Sequence, residues 1–403
     1  MNILVITQMY PQPTKKIETN TVEYFAKKWV EQGNRVFVIH VPSKFPLIYY
    51  CMPKIVYSLL PQNKFNNLPS IDSRTKLHRN EYGISIYRLP IFKFFPGQSV
   101  SQIRMRFYSD SIIDICYKNS FSPDLVVGHF ANPSLELVAN IADHFSAKSS
   151  IVFHHDCTEK NIKKYRILEN CKRINAIGAR SILEAKEIKK LLSLNKEPFV
   201  CYSGAPDDAV NCAEKLCSKQ IYKKEIKFIY VGSLIPRKHV AETIKAFYIF
   251  QNHYTIPCSL EIIGDGVEKD RLVSLVNKMN ISDKIHFMGR MPRNEVLDRM
   301  KEGQIFSLIS SGEVYGIVYI EAMLQGCIVI GSKGEGIDGI IKDGVNGFLC
   351  NPGDYKMLAS IFTKISKLTD KERNNIGQAA IDTAIHFSES EVAEKYLSDI
   401  MNY

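Results

Sequence analysis

Two glutamates eight positions apart, Glu313 and Glu321, bracket a glycine and an apolar run in "SGEVYGIVYIEAM" (311–323). The preceding "IFSLIS" (305–310) has the apolar, β-branched character of a buried strand, and helical spacing resumes near Ile317. Glu313 therefore sits in a loop at a strand's carboxyl end, and Glu321 lies on the second turn of the helix that follows. The amides near Gly316, Ile317 and Val318 open that helix, where N–H groups without intrahelical acceptors and the helix dipole attract negative charge. Such an arrangement suits a ligand with a diphosphate in its middle and hydroxyl-rich sugars at both ends. Each carboxylate can accept hydrogen bonds from vicinal hydroxyls while the amides meet the phosphates. An acid near a helix start also serves the dipole on its own, so the reading needs further parts.

A second part is "YVGSLIPRKHVAETIKAF" (230–247), where a β-like run ends at Gly232 and a helix begins near Val240. Arg237 and Lys238 lie between them, two cations at a strand end and just before a helix, a place that suits a phosphate or diphosphate. "IIGDG" (262–266) reads as a plain turn whose glycines permit positive φ and close backbone approach. "SIVFHHDCTEK" (150–160) puts His154, His155 and Asp156 at another strand end. A histidine there can donate to a substrate hydroxyl or to developing charge, and adjacent strand residues point to opposite faces, so one of the pair looks toward a ligand. No GxSxG accompanies the His–Asp pair, and HExxH, Walker A and DxD are all missing. These absences argue against a hydrolase triad, a zinc protease, a P-loop enzyme and metal-dependent sugar transfer.

These residues need rigid elements to hold them. At 403 residues the chain suggests two or three domains, and 45% hydrophobic with 23% charged residues describes an ordinary globular protein. Short buried runs alternate with helical stretches through "NILVIT" (2–7), "RVFVIHV" (35–41), "ISIYRL" (84–89), "DLVVGH" (124–129), "SIVFHH" (150–155), "AIGA" (176–179) and "FVCYS" (199–203). After a turn-rich, charged stretch the alternation restarts at "IKFIYVGS" (226–233) and runs to "GFLCNPGD" (347–354). Strand–helix alternation of this kind predicts an α/β protein built from two doubly wound parallel sheets. The expected organisation is a domain over 1–203, a linker over 204–225 and a second domain over 226–387, with a last helix over 388–403 packing back on the first. Ligands of open α/β sheets bind at the carboxyl ends of the strands, which here would border a cleft.

The formal charge of +10 is concentrated near the start: residues 1–110 hold 15 lysines and arginines against six acidic residues. No helix-turn-helix, zinc-finger or RNP-type pattern accompanies it, so nucleic acid is not the expected partner. "KFPLIYYCMPKIVYSLL" (44–60) and "FKFFPGQSVSQIRMRF" (92–107) mix apolar, aromatic and basic residues. That mixture predicts a segment lying on an anionic membrane surface, too interrupted to cross one. The N-terminus enters directly into a strand pattern with no export signal, and the ten cysteines are scattered without CxxC pairs. A cytoplasmic protein with reduced thiols is expected, peripheral on the inner face of the cell membrane.

Taken together, "VGSLIPRK", "IIGDG", "GRMPRNEV", "SSGEVYGIVYIEAMLQGCIVIGS" and "IKDGVNGFLCNPGD" resemble the family 4, or group 1, retaining glycosyltransferases of GT-B fold. The likeness is strong over 224–355 and looser over 1–203. The resemblance implies two Rossmann-like domains facing a cleft and a nucleotide-diphosphate sugar as co-substrate, with no cofactor and no metal. By the same likeness, Glu313 holds hydroxyls of the transferred sugar, Glu321 holds the ribose hydroxyls, and the amides from Gly316 to Val318 meet the diphosphate. Lys238 with Arg237 neutralises the leaving phosphates, beside Gly232 and Ser233 at the strand end. The backbone of Gly289, Arg290 and Met291 borders the base, and His155 matches the strand-end histidine near the reacting centre, with His154 next in register. Three departures stand out. Ser233 replaces a frequent arginine, the loop "QMYPQPTKKIETNT" (8–21) lacks the usual glycine pair, and Ser203-Gly204 replaces Asn-Gly.

The expected activity is transfer of a hexose, with retention, from a nucleotide-diphosphate sugar to a hydroxyl acceptor. The basic first domain points to a lipid-linked saccharide in bacterial surface polysaccharide assembly. A glycoside phosphorylase, a sugar-nucleotide epimerase and a non-catalytic nucleotide-sugar-binding subunit are the other readings.

Overall fold

The computed structural model describes residues 1–11, 21–49, 77–80, 82–213, 225–254 and 256–403. The chain separates into two compact units. The first comprises Met1–Arg180, Glu184–Cys201 and Ala393–Tyr403; the second comprises Ser181–Leu183 and Tyr202–Val392.

The first unit is built on an eight-stranded sheet in the order β10-β9-β8-β7-β1-β2-β5-β4. Its strands are β1 (Asn2–Thr7), β2 (Arg35–His40), β4 (Leu77–Arg79), β5 (Ser85–Arg88), β7 (Leu125–His129), β8 (Lys148–Val152), β9 (Ala176–Ala179) and β10 (Phe199–Val200). β3 (Ser43–Lys44) and β6 (Ile91–Phe92) form a separate parallel pair. Ile3 to Ile6 are fully buried in the middle of the sheet, as expected of a near-continuous apolar run covered on both faces. The all-parallel expectation needs one correction: β4 pairs antiparallel to β5 and closes the sheet's edge. An edge strand brought back by a direct return has no crossover to impose direction.

The second unit carries a six-stranded sheet, entirely parallel, in the order β13-β12-β11-β14-β15-β16. The strands are β11 (Ile226–Val231), β12 (Cys258–Ile263), β13 (Ile285–Gly289), β14 (Ile305–Ser307), β15 (Ile328–Ser332) and β16 (Phe348–Cys350). Connections run outward from β11 in one direction and from β14 in the other. The loops after these two strands therefore part side by side at the switch point, where doubly wound sheets bind ligands.

In chain order the helices are α1 (Thr21–Glu31), α2 (Gln102–Lys118), α3 (Glu136–Phe145), α4 (Glu159–Lys164), α5 (Ile167–Cys171), α6 (Ile182–Leu191) and α7 (Asp207–Ala213). They continue as α8 (Val240–His253), α9 (Lys269–Lys278), α10 (Arg293–Glu302), α11 (Ile317–Leu324), α12 (Tyr355–Lys367), α13 (Asp370–Ala384) and α14 (Glu389–Asn402). α12 starts where the Asp354 side chain accepts from the amides of Lys356 and Met357, and α13 where Thr369 and Glu372 form a capping box.

The stretch 204–225, read as a linker, is ordered over its first part: α7 buries Val210 and Ala213 in the second unit's core. Residues 214–224 lie outside the described residues. The end of α14 joins the first unit, where Trp29 Nε1 donates to the Ala393 carbonyl at 3.1 Å and Tyr396 packs edge-on to Phe25.

Most of the glycine-free loop (8–21) and most of the segment 44–60 also lie outside the described residues.

Candidate functional site

The loop after β11 turns at Gly232 and reaches α8 through a single 3₁₀ turn, Pro236–Lys238. Its course is set by the neighbouring loop after β12. Gly232 and Leu234 donate their amides to the carbonyls of Ile263 and Asp265, both at 3.0 Å. The "GDG" turn therefore has a steric task beyond turning. A Cβ on Gly264, whose φ is +146°, would lie 1.9 Å from the Gly232 carbonyl oxygen, and one on Gly266 would lie 2.4 Å from that of Leu234. Because both obstacles are backbone, Gly264→Ala is expected to destabilise the protein by about 2–4 kcal/mol and to displace the 232–235 loop. Urea unfolding with a parallel activity assay checks this; wild-type values for both would refute the packing argument.

The loop after β14 carries Glu313. Its carboxylate Oε2 pairs with Lys238 Nζ, accepts from Ser310 Oγ at 3.2 Å, and lies 3.9 Å from Arg237. Lys238 and Glu313 are both nearly buried, whereas Arg237 is half exposed and donates to the carbonyls of Ser311 and Gly312 at 3.4 and 3.3 Å. Two tyrosines brace the loops from beneath. Tyr230 donates to the Ser233 carbonyl at 3.3 Å, and Tyr319 to that of Leu308 at 2.7 Å. Burial, with the Glu313 charge next in importance, pushes both phenols above their ordinary range, so they remain donors.

α11 begins at Gly316, which has φ +74°, and no side chain caps it. A Cβ there would meet the Tyr319 ring at 2.6 Å. The Tyr319 amide donates back to the Gly316 carbonyl at 3.0 Å, and no cap side chain engages those of Ile317 and Val318. Ile317 and Val318 are half buried against the core. Glu321 is nearly buried on the second turn, and its Oε1 accepts from Arg293 Nε at 2.5 Å. Arg293 opens α10, so this pair ties the 289–293 turn to α11. In that turn Gly289 has φ +71° and accepts from the Gly264 amide at 2.8 Å, Arg290 is exposed, and Met291 rests on the core.

The second unit thus brings together Gly232, Ser233, Arg237, Lys238, Glu313 and the α11 start, with Glu321 and the 289–291 backbone linked through Arg293. Within this cluster Lys238 is held by Glu313, and Glu321 by Arg293.

Two residues escaped the sequence reading. Arg293 is one. The other is Glu335, whose carboxylate accepts from the amides of Gly312 at 3.0 Å and Glu313 at 2.7 Å and so shapes the Glu313 loop. The neighbouring Gly336 donates to the Glu313 carbonyl at 2.8 Å, and a Cβ there would lie 1.9 Å from the Val314 oxygen. An acid between two glycines at the end of β15, "GSKGEG", was the available signal.

The histidines belong to the first unit. His155 is exposed, has φ +60°, and donates its amide to Glu184 at 2.5 Å. The His154 ring stacks on Phe130 with centroids 4.0 Å apart, and its Nε2 lies 3.0 Å from His129 Nδ1. Asp156 clamps the two strand ends, accepting from the amides of His154 at 3.0 Å and Ala131 at 2.5 Å. Burial is the largest influence on its carboxyl and raises its pKa.

Comparison with known proteins agrees with this layout. Residues 214–383 match the family model described as glycosyl transferases group 1. The N-acetyl-alpha-D-glucosaminyl L-malate synthase of Bacillus anthracis is 23% identical over 322 residues, 79% of this chain and 80% of its own. The lipopolysaccharide core biosynthesis glycosyltransferase LpsE of Rhizobium meliloti is 26% identical over 169 residues, 41% of this chain and 47% of its own. Among solved structures, Anabaena HepE in complex with UDP superposes with a TM-score of 0.69 at 15% identity, covering all of both chains. Two doubly wound units with a ligand-ready switch point define the GT-B class of fold. Residues 214–383, in the second unit, resemble the group 1 glycosyltransferases, and the curated relatives support a transferase enzyme.

Proposed function

We propose that the protein transfers a hexose, with retention of anomeric configuration, from a nucleotide-diphosphate sugar to a hydroxyl acceptor. The observation that carries this is the switch point of the second sheet. There Lys238, Arg237 and Glu313 meet the uncapped start of α11, two cations and a row of amides set against one carboxylate. The likeness of the fold to HepE, which was solved in complex with UDP, supports a nucleotide donor.

In this reading the diphosphate draws Lys238 away from Glu313 and lies on the α11 amides. Glu313 is then free to accept from the sugar's hydroxyls, and Glu321 from the ribose. The bond from C1 to the phosphate oxygen breaks as charge develops on the diphosphate, where Lys238, Arg237 and the amides stabilise it. The acceptor oxygen bonds to C1 on the same face, and its proton passes to the departing phosphate oxygen. In the first unit the strand-end histidine donates to a substrate hydroxyl, and the reaction uses neither metal nor cofactor.

We extend the proposal to a lipid-linked saccharide acceptor of bacterial surface polysaccharide assembly, with the protein resting on the inner face of the cell membrane. The name of the Rhizobium relative places that protein in lipopolysaccharide assembly, which favours a saccharide acceptor; the Bacillus relative is named for L-malate. No helix among the described residues is long and apolar enough to cross a membrane. Parallel pairing of β3 with β6 sends the segments 45–49 and 93–97 out from the same end, and Arg104 of α2 donates to the Phe92 carbonyl at 2.5 Å. On this connected surface Leu47, Ile48, Phe94, Phe95, Ile103 and Phe107 are each more than half exposed, with Arg106 beside them.

Incubation with UDP-, GDP- and ADP-hexoses and a lipid extract tests the transfer, with proton NMR of the product reporting the anomeric outcome. An inverted product would end the retaining claim. Joint replacement of Phe94, Phe95, Ile103 and Phe107 by serine is expected to cut flotation with anionic vesicles by more than about tenfold. Unchanged flotation would reject the membrane contact.

A further inference from the structure

A chain of side chains, buried at Tyr396 and His129 and half-buried at His154, links the C-terminal helix to the strand-end histidine. Tyr396 on α14 places its hydroxyl 3.4 Å from His129 Nε2, and His129 Nδ1 lies 3.0 Å from His154 Nε2. Every member belongs to the first unit. Phe25 stacks on the His129 ring, as Phe130 does on that of His154, so neither imidazole turns freely. From this geometry we infer that Tyr396 and His129 are positioning residues that fix His154 in the tautomer bearing its proton on Nδ1, presenting an N–H donor to a substrate hydroxyl. The inference rests on the reading that a strand-end histidine donates to a substrate hydroxyl, and it assigns that task to His154.

Counting protons along the chain selects the tautomer. Burial, helped by the Arg180 charge, lowers His129 to about 3 and His154 well below the usual histidine range, so both rings are neutral and each carries one proton. Two arrangements satisfy both contacts. In one, the Tyr396 hydroxyl donates to His129 Nε2, His129 Nδ1–H donates to His154 Nε2, and His154 keeps its proton on Nδ1. In the other, every donor reverses and His154 offers only a lone pair at Nδ1. A phenol is a better donor than acceptor and an imidazole nitrogen the better acceptor, so the first arrangement holds. The helix supplying the tyrosine is anchored independently, through the Trp29 contact to Ala393, so removing one hydroxyl leaves its packing in place.

The test combines ¹⁵N-histidine NMR with kinetics on whichever UDP-, GDP- or ADP-hexose the protein turns over. The wild type is expected to show His154 as the Nδ1–H form, the minority form of free neutral histidine. Tyr396→Phe, and independently His129→Asn, which cuts the relay without touching α14, are expected to return His154 to a mixture. Both should lower kcat by about tenfold with donor KM within about twofold. A folded Tyr396→Phe protein whose His154 keeps the wild-type tautomer overturns the relay. Full turnover by His154→Asn instead overturns the reading that this histidine works on a substrate hydroxyl, while leaving the tautomer result to stand or fall by itself.

Discussion

Glu313→Gln is expected to lower sugar transfer by about 10²–10³-fold while the nucleoside diphosphate of the donor it uses binds several-fold more tightly. The two effects have opposite sign because Glu313 plays two parts. Its carboxylate holds Lys238 in a nearly buried ion pair and also accepts from Ser310. A diphosphate must win Lys238 from that carboxylate. Glutamine keeps the shape, accepts from the same donors and gives up the charge, so less competition remains and the phosphates gain. The transition state loses what it needs: an anionic acceptor for the sugar's hydroxyls, beside a centre where positive charge develops. Turnover assays and calorimetric titration with that nucleoside diphosphate separate the two. If binding weakens in step with turnover, Glu313 does not compete for Lys238, and the proposed exchange of partners is wrong.

Lys238→Met should be the more damaging change, with turnover reduced by about 10³-fold and affinity for the donor's nucleoside diphosphate by about 10- to 100-fold. Methionine fills much of the same volume, so packing is nearly kept while the charge disappears. Arg237 cannot take over, because it is half exposed and engaged with the carbonyls of Ser311 and Gly312, 3.9 Å from the Glu313 carboxylate. The variant also leaves Glu313 nearly buried without its closest cation, at a cost of about 1–3 kcal/mol in stability. Lys238→Arg is expected to restore little, since a planar guanidinium does not fit a space closed around a lysine. Wild-type affinity of the methionine variant for that nucleoside diphosphate would remove Lys238 from the diphosphate site.

Much of this was legible without coordinates, for a local reason. Helix starts at Val240 and Ile317, strand starts at Ile226 and Ile305, and the loops carrying Lys238 and Glu313 are written in short runs whose period and punctuation act within a few residues. The two glutamates straddling a glycine could be given chemistry because a helix N-terminus has the same electrostatics wherever it occurs. "GDG" was readable as a turn, yet its reason was not, since the carbonyls that exclude a Cβ belong to the loop after another strand.

What the sequence determined by itself was therefore the alternation of strands and helices, the class of sheet, and which side chains stand at strand ends. Sheet order, which sets the loops after β11 and β14 side by side, was decided by tertiary structure. So were the partners: Arg293 for Glu321 across 28 positions, Glu335 for Gly312 across 23, and Tyr396 for His129 across 267. Such pairs leave no periodic trace, because the free energy that selects them arises only when distant segments are buried against each other. Burial makes an unpaired charge or hydroxyl costly, and the folded neighbourhood alone names the group that relieves it.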